Sequence, residues 1–122
     1  MNARLIESKL NRATLRESTL IEADLRGSNL TAADLRYTNL NKANLREADL
    51  DGANLTRASI IGAKLRDTDL QHADLRDAYL RKANLEEADL TQANLTGVDL
   101  RGADLTGAII DETTKLPTMK QG

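Results

Sequence analysis

Residues 43–55 read ANLREADLDGANL, and the pattern of the whole chain is in them. A small residue (Ala43, Ala48, Ala53) stands two places before each leucine (Leu45, Leu50, Leu55), with Asn44, Asp49 or Asn54 between. Followed outward in both directions, Leu holds every fifth position from Leu5 to Leu105 except at Ile60, and Ile110 closes the series. That makes 22 large aliphatic residues in one phase, too regular a set for a disordered chain. Ala fills 16 of the 22 small positions, and Ser8, Ser18, Ser28, Thr38, Thr68 and Val98 fill the rest.

A period of five suits neither common element. Five residues of α-helix advance about 500°, so successive leucines would spiral around the cylinder and share no face. In a straight strand, side chains alternate, and leucines five apart would point to opposite sides. A chain that bends once per repeat buries the whole set. The small residue and the Leu, two apart, both point inward from a short extended segment, and the next two residues turn the chain.

The glycines mark the turn. Gly27, Gly52, Gly62, Gly97, Gly102 and Gly107 all lie two residues after the Leu or Ile, where a positive φ is expected. The residue just before the Leu is Asp or Asn in 14 of the 22 repeats, a type able to hydrogen-bond nearby backbone in a turn. A ten-residue alternation then sets the number of sides. Arg follows the Leu at Arg16, Arg26, Arg36, Arg46, Arg66 and Arg76 in odd-numbered repeats, but only at Arg81 and Arg101 in even-numbered ones. Three sides per turn would scramble that alternation, whereas four preserve it.

These residues resemble the pentapeptide-repeat family, whose motif reads small, Asp or Asn, Leu, any, any. The resemblance covers roughly residues 3 to 112 and implies an all-β fold, a right-handed quadrilateral β-helix of four repeats per coil. Twenty-two repeats then give about five and a half coils, a rod about 26 Å tall at about 4.8 Å per coil. The expected organisation is a β-helix over residues 1–112 and a C-terminal cap or tail over 113–122. Phase breaks after Asp111, and Lys115 falls where a Leu was due. Leu116-Pro117 is expected to fold across the last coil, with Lys115 and Lys120 discouraging edge pairing. The first coil lacks a comparable cap, which leaves a monomer and an end-to-end homodimer both open.

Composition narrows the function. The net charge of −2 provides no basic excess for direct nucleic-acid binding. Cysteine is absent, no apolar run is long enough to span a membrane, and the first residues lack the apolar core of a signal peptide, so a cytoplasmic protein is expected. His72 is the only histidine and sits at a turn position, and the Ser and Thr of the small positions face inward. With no phosphate loop and no metal-ligand cluster, no enzyme activity and no cofactor are expected.

With four faces, residues 20 apart stack in columns. We number the faces one to four from those centred on Leu5, Leu10, Leu15 and Leu20. Summed side-chain charge is −2, −4, 0 and +2 in that order. On the second face Asp49, Asp69 and Asp89 form a carboxylate column, read either as a cation ladder or as aspartates bonding local backbone. Arg ladders on the first and third faces read as interleaved surface ion pairs. The fourth face combines cations with outward apolar groups. Ile21, Ile61, Tyr79, Arg81, Lys82 and Arg101, with Tyr37 at the adjoining corner, form a candidate protein-binding patch.

The expected function is therefore a non-enzymatic structural or protein-interaction module whose partner is another protein. The resemblance implies an alternative, since some family members mimic DNA and bind DNA gyrase. Those members are strongly acidic and commonly carry Phe in the core, unlike this chain.

Overall fold

The computed structural model describes residues 2–117. The backbone winds as a four-sided coil in which parallel bridges join residues 20 apart, from Arg4↔Asp24 through Asp89↔Ile109. Each bridge is a single residue, the one just before the Leu, so every face is a stack of very short strands. Right-handed winding is the sense in which parallel β crossovers run.

Leucine and the small residue fill the interior as expected. Leu25 to Leu95, with Ile60 in the series, are buried, as are the alanines of the small position from Ala23 to Ala93. Each buried Leu contributes about 1.5–3 kcal/mol. The first and last coils are only half covered: Leu5, Leu10, Leu15, Leu20, Leu100 and Leu105 pack against the core from its ends.

The corners turn through positive φ. Every residue two after the Leu, from Glu7 to Gly107, has φ between 55° and 76°, and fifteen of these residues are not glycine. The amide of the next small residue donates to the Leu carbonyl across each corner, as Ser8 does to Leu5 at 3.1 Å. This is the pattern of a type II turn.

The backbone amides explain why Asp or Asn precedes 14 of the 22 core residues. Within a repeat, the amides of the residue before Leu, of Leu itself and of the corner residue bond to adjacent coils, as Asp24, Leu25 and Gly27 do with Ala3, Asn44 and Arg46. The small residue's amide closes the turn. Only the amide just after Leu has no ladder partner, and an unpaired backbone donor is costly. The Asp or Asn Oδ1 accepts it in all 14 repeats that carry one, for example Thr31 to Asn29 at 3.1 Å and Thr91 to Asp89 at 3.0 Å. At Ser59 the local acceptor is missing, and Asn41 from the coil before replaces it. Its Oδ1 accepts both the Ile61 amide at 3.0 Å and the Ser59 hydroxyl at 2.6 Å.

The C-terminal end differs from expectation. Bridging does not stop at the phase break: Asn94 pairs with Lys115, 21 residues on. One extra residue is absorbed in the turn after Ile110, and Thr114, Lys115 and Leu116 then take the small, middle and Leu positions of another repeat. Lys115 therefore joins the edge it was expected to block, accepting the Leu95 amide at 2.7 Å and donating to Ala93 at 2.9 Å. Hydroxyls mend the slip: Thr114 donates to the Leu90 carbonyl at 2.8 Å, and Thr113 accepts the Gln92 amide at 3.0 Å. Leu116 stays about half exposed. Lys120 lies outside the described residues.

Candidate protein-docking face

The fourth face is built from three outward columns. Thr19, Asn39, Ser59, Tyr79 and Asp99 precede the core residue, Ile21, Asn41, Ile61, Arg81 and Arg101 follow it, and Glu22, Lys42, Gly62, Lys82 and Gly102 turn the corner. Because residue and coil positions are locked by the core, these side chains are presented at the coil spacing of about 4.8 Å.

The structure brings Ile61, Arg81, Lys82 and Arg101 together around a shallow groove of about 390 Å³, which Gly102 also lines. Tyr79 stands on the same face, half exposed, two residues from Arg81. Ile21 is likewise exposed but two coils away from Ile61, with Asn41 between them. Tyr37 is directed elsewhere: the Arg16 guanidinium lies over its ring, 6.0 Å from the centroid, on the third face. Asn41, which the sequence reading passed over, fixes the Ile61 backbone. Gly102 was read only as a turn residue, and nothing in its sequence context marks it as groove lining.

Two of the three cations are tethered. Arg101 grips Asp99 through Nε at 2.9 Å and Nη2 at 2.7 Å, and Arg81 Nε lies 3.8 Å from the same carboxylate. The Arg101 hydrogen bonds hold the Asp99 carboxyl down to about 2. Lys82 has no carboxylate within 4.0 Å among the described residues.

The other candidate features resolve into local contacts. Asp49, Asp69 and Asp89 stack by bridging, and the Oδ1 of each accepts the amide two residues on, at 3.0 Å. Among the described residues, no group of three or more His, Asp or Glu side chains is placed to hold a metal ion. His72 Nδ1 is 2.9 Å from Asp51 Oδ1. In the Arg ladders, Arg26, Arg36 and Arg76 each clamp the Asp two residues earlier at 2.7 Å. Among the described residues no helix is long and apolar enough to cross a membrane.

A family model for pentapeptide repeats matches residues 1–36, 33–72 and 73–110, in 8 copies. The chain belongs to the pentapeptide-repeat family. Its fold is the family's right-handed quadrilateral β-helix. The chain is similar to the solved pentapeptide repeat protein Rfr23 from the cyanobacterium Cyanothece 51142. The two are 39% identical, with 76% of this chain and 63% of that one covered and a TM-score of 0.75. It is also similar to HetL, a pentapeptide repeat protein involved in heterocyst differentiation regulation from Nostoc sp. strain PCC 7120. Here the identity is 35%, the coverage 88% and 57%, and the TM-score 0.35. A third pentapeptide repeat protein, alr5209 from Nostoc PCC 7120, is 35% identical, covering 93% of this chain and 77% of that one, with a TM-score of 0.49. The chain thus spans less than two thirds of the length of Rfr23 and HetL. No curated protein sequence matches it.

Proposed function

We propose that this pentapeptide-repeat protein is a non-enzymatic docking module that engages another protein through its fourth face. The observation that carries the reading is the groove of Ile61, Arg81, Lys82 and Arg101 beside exposed Tyr79. Tyr and Arg are the residue types most enriched among binding anchors, and a surface position on this coil has no structural need of an Ile. The interior supports the non-enzymatic half: it is filled by Leu and Ala, and the surface hollows are shallow and open.

Affinity capture from the native cell tests this. Wild-type protein is compared with a variant carrying Ile61→Asn and Tyr79→Asn. Loss of a captured partner with the variant supports the reading, and an unchanged set of partners overturns it.

DNA mimicry calls for an evenly acidic surface. Here Asp24, Asp34, Asp74 and Asp99 are each neutralised by an Arg on the same repeat, which breaks up any phosphate-like spacing. Addition of the protein is expected to leave gyrase supercoiling unchanged.

A further inference from the structure

Charge counted by face hides a feature that lies across a corner. Where the fourth face meets the first, the chain passes through Lys42 and Lys82 on the corner itself, Arg81 and Arg101 on one side, and Arg46, Lys64 and Arg66 on the other. Three surface hollows run along this edge. One is the groove described above, a second of about 200 Å³ is lined by Arg46, Lys64, Arg66 and Asn84, and a third of about 490 Å³ is lined by Lys42, Asn44 and Lys64 on one side and by Arg4, Glu22 and Asp24 on the other.

What distinguishes these cations is that most lack partners. The arginines of the Asp-Leu-Arg repeats are clamped two residues back, as Arg26, Arg36, Arg76 and Arg101 all are. Lys42, Arg46, Lys64 and Lys82, by contrast, have no carboxylate within 4.0 Å among the described residues. The residues between them are neutral: Asn41, Asn44, Ile61, Gly62 and Asn84. Where Asn44 stands in place of the Asp of the Asp-Leu-Arg repeats, Arg46 loses its clamp while Asn44 Oδ1 still accepts the Arg46 amide at 3.3 Å. The repeat keeps its backbone cap and releases its cation. Lys64 goes further and gives up the cap as well. The strip's arginines take up the carboxylates on its flank: Asp67, Glu86 and Glu87 lie 3.6, 3.6 and 4.0 Å from Arg66, and Asp99 is held by Arg101.

We propose that this corner strip is the seat of an acidic, extended peptide segment of the partner protein, laid along the helix axis. The proposal rests on the docking reading above and names the partner's chemistry. Charge complementarity selects an acidic ligand. The strip's shape selects a single chain. It runs over three coils, about 10 Å between the first and last. Glu22 and Asp24 bound it at one end and Asp104 at the other, and Glu47, Asp67 and Glu87 line the next corner. A nucleic-acid duplex or a lipid surface laid on this edge would meet those carboxylates, and the chain's net charge of −2 would oppose it. One strand fits between them, with Ile61 in reach of an apolar side chain.

A fluorescence-anisotropy titration of the full chain with a labelled oligoglutamate peptide tests the proposal. Saturable binding is expected that weakens with added salt. It should fall by about tenfold in a Lys42→Glu, Lys64→Glu variant and less in Lys42→Gln, Lys64→Gln. Lys9→Glu, on the acidic face, should leave it unchanged. No binding, equal binding by the charge-reversed variant, or tighter binding of a single-stranded oligonucleotide or phosphatidylserine vesicles overturns the proposal. The two readings fail separately. If Ile61→Asn, Tyr79→Asn abolishes partner capture while lysine reversal leaves the peptide titration untouched, docking stands and the acidic strip falls. If lysine reversal weakens the peptide while the apolar pair leaves capture unchanged, the strip stands and the apolar anchor falls.

Discussion

Asp34 and Arg36 flank the buried Leu35 and hold each other by two hydrogen bonds, Nε to Oδ1 at 2.9 Å and Nη2 to Oδ2 at 2.7 Å. The same Oδ1 accepts the Arg36 amide at 3.2 Å. One carboxylate thus caps the backbone and pairs with a cation. The two roles separate by mutation. Asp34→Asn keeps the cap and loses the pair, and a loss of under about 1 kcal/mol is expected. Asp34→Ala loses both and should cost about 1 kcal/mol more, because the amide is left without a partner. Urea unfolding of both variants measures the difference.

Acid should weaken the fold over a defined window. The Arg36 and Arg101 hydrogen bonds hold the Asp34 and Asp99 carboxyls down to about 2, and Arg26 and Arg76 lower Asp24 and Asp74 in the same way. A folded-state value below the unfolded one means the stabilisation is fully present above the unfolded pKa. It is lost as pH falls from about 3.8 to about 2. Melting temperature followed through that interval should drop, and Asp34→Asn should flatten the drop.

Ser28 is the site where a polar core residue gains nothing. Its Oγ is buried and makes no hydrogen bond, whereas Thr38 and Thr68 donate to Leu35 and Leu65 at 2.7 Å. Ser28→Ala is therefore expected to stabilise the chain by about 1 kcal/mol, and Thr38→Ala to destabilise it. Thermal unfolding of the two variants should shift in opposite directions.

Gly52 isolates the cost of the left-handed corner. A Cβ at this position would meet no atom within 4 Å beyond its chain neighbours, and φ is +71°. Gly52→Ala should cost about 1 kcal/mol of backbone strain alone, and Gly52→Val more, since a β-branched residue tolerates positive φ least. Equal stability of all three would show that the coil relaxes its corners freely.

The coil was legible because the core writes the same two letters every five residues, and because an alternation in Arg survives only on four sides. Other features were in the sequence but unread. None of the corner residues from Glu7 to Gly107 is Val, Ile or Thr, although Ile6, Thr31, Ile61 and Thr91 stand one place earlier. That contrast marks positive φ at the corners as clearly as glycine does. The one-residue slip before Lys115 escaped a strict count of five, since a turn can swallow a residue without moving the axis. The patch was only partly legible: Ile61, Arg81, Lys82 and Arg101 converge, but Tyr37 turns to Arg16 because a corner side chain can lean either way. The strip of Lys42, Arg46 and Lys64 was divided between two faces, so a tally by face cancelled it.

The Asp or Asn that precedes most of the core leucines carries a consequence for how such a rod changes over time. It closes the last open backbone donor from within its own repeat, so the side chain of the residue after the Leu is relieved of any hydrogen-bonding duty to the fold. A lineage can repaint an edge of the prism one residue at a time, exchanging one class of partner for another, while the stacked interior beneath never has to be renegotiated.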